Sequence, residues 1–501
     1  MRRVWGRELA GWTAALALAL VVVGQLAASP RSTLLFDDGD SLIVVLVARS
    51  LLEGGGGDWA MSSVLFLPEI AVFTALDALL PLGVDGLLAV NAVVNVLALY
   101  GAIRVAAGRR RDGGAPVAWS VTALAVFGVL VVTESSPSRD ALELASLLPT
   151  TTYYSATVVA TILAVGLSRR FLDRVAGGTG AAVALGMTAI VSTVSNPLFV
   201  AWASVPLALV LGGLVAAVPS VRRRGLLLIA VLLGGSTAGF LGRIPFSAWI
   251  ANSGAGYVQP SEWLSAAEYY AGLAVERLST PPGALGTVVG LTLVVLAVIR
   301  SIRPTDPGGR VVALTAWAFP VVVLVGAIAA GTHAARYLQP LAFAPPSSHS
   351  WPPPRAAPLP AVAVRIVTGA VAAILAIGGT VAVPRIVHAA SAPDRDLSCV
   401  RDWVDASGRT GAGQFWTVRL PKLHAADPAR LVQVDHELHG YAWLVDRRDF
   451  AAGAVSFLVD DAQTVPWNLP VDAEPTTIVE CGRYRILDYA PGSLPIGPAH
   501  S

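Results

Sequence analysis

The chain has 501 residues, of which 54% are hydrophobic and only 14% charged, and its mean hydropathy is +0.65. A soluble chain of this length needs far more charge to cover its surface, so the composition excludes an ordinary cytosolic protein and indicates a polytopic membrane protein. The net charge of +2 carries no nucleic-acid signature, because the arginines sit in short clusters between apolar runs, where they act as topology signals.

The first run, MRRVWGRELAGWTAALALALVVVGQLAASP, has the parts of a signal peptide, with LAAS as a poor cleavage site. The many apolar runs that follow favour instead a retained first helix with its Arg end in the cytoplasm. Stretches of the length that crosses a bilayer, about 20 mostly apolar residues, lie near 12–28, 86–107, 116–133, 152–168, 180–194, 197–218, 225–242, 283–300, 311–330 and 364–383. The clusters Arg109-Arg110-Arg111, Arg169-Arg170, Arg222-Arg223-Arg224 and Arg300/Arg303 recur after every second span. Together with residues 2–7 they fall on one side, as the positive-inside rule requires.

That order holds only if residues 29–85 stay outside. They contain two apolar stretches, 41–52 and 64–80. The first is too short to span. The second, VLFLPEIAVFTALDALL, carries Pro68, Glu69 and Asp77, and counting it as a span would put the Arg109–Arg111 triplet outside. Both read as helices lying along the outer membrane face, within a long structured loop.

Beyond the ninth span, HAARYLQPLAFAP leads into PSSHSWPPPRAAPLP. Residues 337–346 are too short to cross, and the Pro-rich run cannot be helical. A degenerate eleventh crossing within 337–360 would place the C-terminal part outside; without it, that part is inside. The two cysteines, Cys399 and Cys481, both lie in this polar part and fit one disulfide in an oxidising compartment, which favours outside; two buried free thiols are the other reading. The expected division is a membrane domain over 1–390, including the outer loop 29–85, and a soluble extracytoplasmic domain over 391–501. In the latter, FWTVRL, RLVQVD, YAWLVD, AVSFLVDD and TTIVECGRYRILDYA read as short strands of an α/β or mainly β domain.

The ionisable residues gather in the segments this topology places outside: Asp37, Asp38 and Asp40 in LLFDDGDSL, then Glu134 and Asp140 in TESSPSRDALELASLLPTTTYY, then His333 and Arg336 in THAARYLQP. The span interiors are almost free of charge, with Asn91 and Asn95 the main polar intrusions, which disfavours a transporter with a site at the bilayer midplane. A carboxylate held against a membrane face is partly desolvated and gains proton affinity, which suits it to take a proton from an acceptor hydroxyl. Clustered carboxylates also suit a hard divalent cation such as Mg²⁺ or Mn²⁺, and Arg or His beside them could neutralise a phosphate. Structural roles compete. Asp40 is placed to cap a helix over 41–52, Glu134 and Asp140 are placed as helix-end residues, and Arg336 as an interfacial anchor. DHELH, Asp435 to His439, lacks the histidine spacing of a zinc helix and is assigned no metal.

The layout resembles the GT-C integral-membrane glycosyltransferases, the superfamily of protein O-mannosyltransferases and the lipid A aminoarabinose transferase. FDDGDSLIVVLVARSLLEGG is similar to the acidic motif and helix of that superfamily's first outer loop, and HAARYLQPL to its RYLLP segment at a late span. The resemblance implies an all-α polytopic bundle of about 10–11 spans in the cytoplasmic membrane, the N-terminus inside and a small C-terminal domain outside. It implies a sugar moved with inversion from a polyprenyl-phosphate lipid to a cell-envelope acceptor. It puts the general base at Asp38, with Asp37 as neighbour and rival, and a second acidic position at Glu134 or Asp140. Arg336 and His333 would then face the lipid phosphate. The alternative is a non-catalytic membrane protein of the same fold whose outer domain binds envelope polymers or partners.

Overall fold

The computed structural model describes residues 2–55, 57–108, 115–173, 178–302, 306–347, 361–470 and 473–501. In chain order the first elements are α1 (Arg2–Ala27), α2 (Ser32–Phe36), α3 (Ile43–Leu52), β1 (Trp59–Ala60), α4 (Leu67–Leu79), α5 (Val84–Ala106), α6 (Pro116–Val132), α7 (Ser155–Leu172) and α8 (Thr179–Ser195). They are followed by α9 (Val205–Ala217), α10 (Arg222–Leu241), α11 (Trp263–Leu278), α12 (Pro281–Ile302), α13 (Pro307–Ala329), α14 (Pro340–Ser347) and α15 (Ala361–Ala390). Contacts divide the chain into two compact units. One holds residues 1–34, 88–244 and 256–389; the other holds 35–87, 245–255 and 390–501.

The first unit is helical. Eight helices among the described residues are long and apolar enough to cross a membrane, and α6 and α8, with 17 residues each, are shorter apolar helices. All ten sequence-predicted spans coincide with helices. Many large apolar side chains point away from the protein, such as Ile374 and Ile377 on α15, 68% and 64% exposed. Faces of this kind need a non-aqueous surrounding, and the chain is a multi-pass membrane protein. α13 is central, packing against α7, α9, α12 and α14. Its start is set by Asp306, whose carboxylate accepts the Gly309 N–H at 2.7 Å, with Pro307 in the first turn. A π-helical turn, Val200–Ser204, leads into α9 where Pro206 removes a backbone donor.

Small residues bring α8 and α10 together. A Cβ on Gly239 would lie 2.6 Å from the Ile190 carbonyl oxygen and 2.8 Å from Thr193 Cβ, and one on Gly235 would lie 2.9 Å from the Gly186 carbonyl. This is the small-xxx-small contact that lets membrane helices approach closely. Gly239→Leu should therefore force the pair apart at a cost of about 1–3 kcal/mol, read as earlier thermal aggregation in detergent. Gly212→Ala, at a site with open space, should leave that temperature unchanged.

The arginine clusters also do local work. Arg169 Nη1 donates to the Ala106 carbonyl at 2.6 Å and Arg170 Nε to the Val105 carbonyl at 3.2 Å, so both cap the C-terminal end of α5. Arg109–Arg111 and Arg303 lie outside the described residues. So do residues 348–360, where most of the eleventh crossing was expected; before them α14 is a helix of eight residues that includes Pro345 and Pro346.

The second unit groups the chain differently from the expected division. The loop residues 35–87, assigned on sequence to the membrane domain, pack with 390–501: β1 pairs antiparallel with β5 (Val445–Asp446), Trp59 opposite Asp446. α3 and α4, with 10 and 13 residues, fall on the two apolar stretches of that loop. The C-terminal segment adds α16 (Arg395–Ser407), β2 (Gly411–Gln414), α17 (Phe415–His424), β3 (Leu431–Val434), β4 (His439–Tyr441), β5, β6 (Ala454–Val455), β7 (Phe457–Asp460), β8 (Thr477–Cys481), β9 (Tyr484–Asp488), β10 (Leu494–Pro495) and β11 (Gly497–His500). Seven strands form one mixed sheet in the order β11-β4-β3-β2-β7-β9-β8, parallel at β2-β3 and β2-β7 and antiparallel at β7-β9 and β9-β8. The domain is α/β. FWTVRL is not a strand but the start of α17, which is buried almost all round, from Phe415 and Thr417 through Leu423. Cys399 and Cys481 form a disulfide, Cα–Cα 5.5 Å, that joins α16 to β8.

Candidate active site

In the second unit, DDGDSL, the acidic part of LLFDDGDSL, is the turn between α2 and α3. α3 begins only at Ile43, with Leu42 at its N-cap and no side-chain cap, so Asp40 lies too early to cap it and that expectation fails. The local hydrogen bond comes from Asp38, whose Oδ2 accepts the Ser41 N–H at 3.3 Å, both residues being buried. Gly39 is pressed against the next element: a Cβ there would lie 3.1 Å from the Trp416 ring, so a larger residue would push the turn off α17. Behind it lies Arg419, 1% exposed, with Asp40 and Asp38 as its leading carboxylate influences and Asp449 the next. Asp38 is thus committed to holding the turn.

Asp37 differs. Its side chain is exposed, and among the described residues it has no hydrogen-bond or ion-pair partner. Its proton affinity is pushed up to about 7 by the protein mass around it and then by Asp85; Arg483 opposes, and Asp394 and Asp38 add to the rise. The carboxyl still reaches water, which softens the burial contribution, but its carboxylate neighbours push the same way. Sequence reasoning missed Asp85, Asp394 and Arg483. Asp394 caps α16 by accepting the Leu397 N–H at 3.0 Å, and it pairs with Arg483. Asp396 accepts the Arg483 N–H at 3.0 Å, and the Arg483 guanidinium lies 4.8 Å from the Tyr484 ring centre. The disulfide fixes this hairpin turn to α16 beside them. The legible signal was the cap position in PDRDL and the CGRY turn.

In the first unit, Glu134 is a buried organiser of its loop. It accepts the N–H groups of Ala145 at 2.9 Å and Ser146 at 2.7 Å, the Ser146 hydroxyl at 2.5 Å, and Arg277 at 3.5 Å. Asp140 instead is exposed, with Arg336 Nη1 at 3.9 Å. The structure thus brings together Arg336 and Asp140, not Glu134. His333 Nε2 lies 3.0 Å from the Ser265 hydroxyl, its Nδ1 3.8 Å from Glu262, and its ring 5.5 Å from that of Tyr269. This segment is held from three sides: Trp202 Nε1 donates to the Tyr337 carbonyl at 2.9 Å, Gln339 to Tyr153 at 2.9 Å, and the Tyr270 and Thr332 hydroxyls meet at 2.7 Å. Burial raises the phenol of Tyr337, so it stays a neutral donor beside Arg336. An apolar cavity of about 250 Å³ between α6, α12, α13 and α14 ends at Glu134 and Arg277.

No family model, no curated protein and no solved structure matches this chain. The chemistry therefore rests on these groups alone. Asp37 has the state of a proton acceptor for neutral pH. Arg336 and His333 offer donors to an anion. Among the described residues no group of three or more His, Cys, Asp or Glu side chains is placed to hold a metal ion.

Proposed function

We propose that the chain is a membrane glycosyltransferase that moves a sugar from a polyprenyl-phosphate donor to an extracytoplasmic envelope acceptor with inversion. The observation that carries the reading is Asp37: an unpaired, accessible carboxylate following the first span, raised to about 7. Asp38, the base that the resemblance favours, accepts the Ser41 N–H and lies in the field of Arg419. Asp37 takes the proton of an acceptor hydroxyl, the freed oxygen attacks the anomeric carbon, and the bond from that carbon to the phosphate oxygen breaks. The leaving group is polyprenyl phosphate, an anion that the resemblance assigns to Arg336 and His333. The apolar cavity below Arg277 suits a prenyl chain. In this reading the N-terminus is cytoplasmic and residues 391–501 are outside, where the disulfide is stable.

Deleting the chain from its host should make a polyprenyl-phosphate sugar accumulate and remove one sugar linkage from the envelope. Mass spectrometry of the lipid extract and linkage analysis of the envelope measure both. Unchanged lipid-linked pools together with an unchanged linkage profile would overturn the reading.

A further inference from the structure

A second recess in the C-terminal unit shares no residue with the Asp37 turn. It is a cavity of about 420 Å³, inside the range of small-molecule sites, about 300–1,000 Å³. Its wall joins the end of α3 to α17 and the 446–449 turn: Arg49, Trp59, Lys422, Asp446, Arg448 and Asp449 all line it. Each cation of that wall has a carboxylate neighbour, and with Glu53 and Asp427 the lining carries one carboxylate more than it has cations. Lys422 Nζ lies 2.8 Å from Asp449 and donates to the carbonyls of Pro428 at 2.6 Å and Leu431 at 2.9 Å. Arg448 Nε meets both Asp446 oxygens at 3.0 Å, and Arg49 lies 3.9 Å from Asp77.

A wall whose cations are already matched and whose carboxylates are in excess offers no net attraction to a phosphate or other anion. It offers instead a dense set of fixed donors and acceptors. Carboxylate oxygens and guanidinium N–H groups with part of their hydrogen-bonding capacity left are what a hydroxyl-rich neutral ligand needs, since each hydroxyl both donates and accepts. Trp59 backs the wall: the residue is 3% exposed, and its buried indole N–H has no hydrogen-bond partner among the described residues. We propose that this cavity binds a neutral saccharide. The site stands on its own residues and would hold equally in a chain that transfers nothing.

The test is binding of the full chain, purified in detergent and fluorescently labelled, to an array of neutral, uronic-acid and sulfated oligosaccharides. The wild type should be retained on neutral glycans. Arg448→Ala, at a half-exposed side chain, and Trp59→Phe should each weaken that binding at least about tenfold, near 1.4 kcal/mol. Arg401→Ala, at an exposed pair with Asp402 outside the cavity, should bind as wild type. Retention on acidic glycans only, on none, or equally by both cavity variants would overturn the proposal. Because the readout is binding, a failed transferase reading leaves the result unaffected.

Discussion

Asp37→Asn should abolish sugar transfer while leaving the protein folded. Loss of a general base costs about 10²–10⁴-fold in rate, and Asp37 has no hydrogen bond or ion pair among the described residues for the fold to lose. The pH dependence gives the sign. A carboxyl raised to about 7 is protonated below that pH and cannot accept a proton, so wild-type activity should rise through pH 7 and level above it. Stability runs the other way. The folded state holds the Asp37 proton more tightly than the unfolded chain, so between the ordinary carboxylate range and about 7 rising pH favours unfolding. Asp37→Asn removes that penalty, and its apparent Tm at pH 8 should equal or exceed that of wild type. Activity that persists in Asp37→Asn, or a wild-type profile flat from pH 5.5 to 8, would remove Asp37 from the base role.

The spans were legible because a bilayer imposes a length and an apolarity that no other constraint mimics. The second unit was less so. FWTVRL has the β-branched and aromatic residues of a strand, yet a short apolar run has no period long enough to separate strand from buried helix. β2, GAGQ, reads as a loop because its small residues leave room for Phe457, which a Cβ on Gly411 would approach to 2.1 Å. The acidic motif was visible, but the division of labour within it was not. Whether Asp37 or Asp38 is the occupied carboxylate depends on Arg419 and on Asp85, Asp394 and Arg483, residues distant in sequence. No local pattern encodes such a pairing.

Arg419→Met should strongly destabilise the C-terminal unit. The guanidinium is buried against the Phe415 ring, 4.8 Å from its centre, donates to the Leu444 carbonyl and reaches Gln433 at 3.4 Å. Burial lowers its pKa to about 10, against Asp40, Asp38 and Asp449, which hold the charge on. Removing one partner of a buried charge group costs about 3–5 kcal/mol, because the opposite charge stays behind. For a unit of this size that is a fall in apparent Tm of roughly 6–20 °C, which tryptophan fluorescence on heating would register. The charge account also predicts a rescue. Arg419→Met combined with Asp38→Asn removes the stranded carboxylate and should recover part of the lost Tm, a non-additivity expected only of coupled neighbours. The same double variant separates the two carboxylates in function. If Asp38 only holds the turn, transfer should return as the fold does; if Asp38 is the base, the rescued fold should be inactive. A folded, inactive double variant beside a fully active Asp37→Asn would return the base to Asp38.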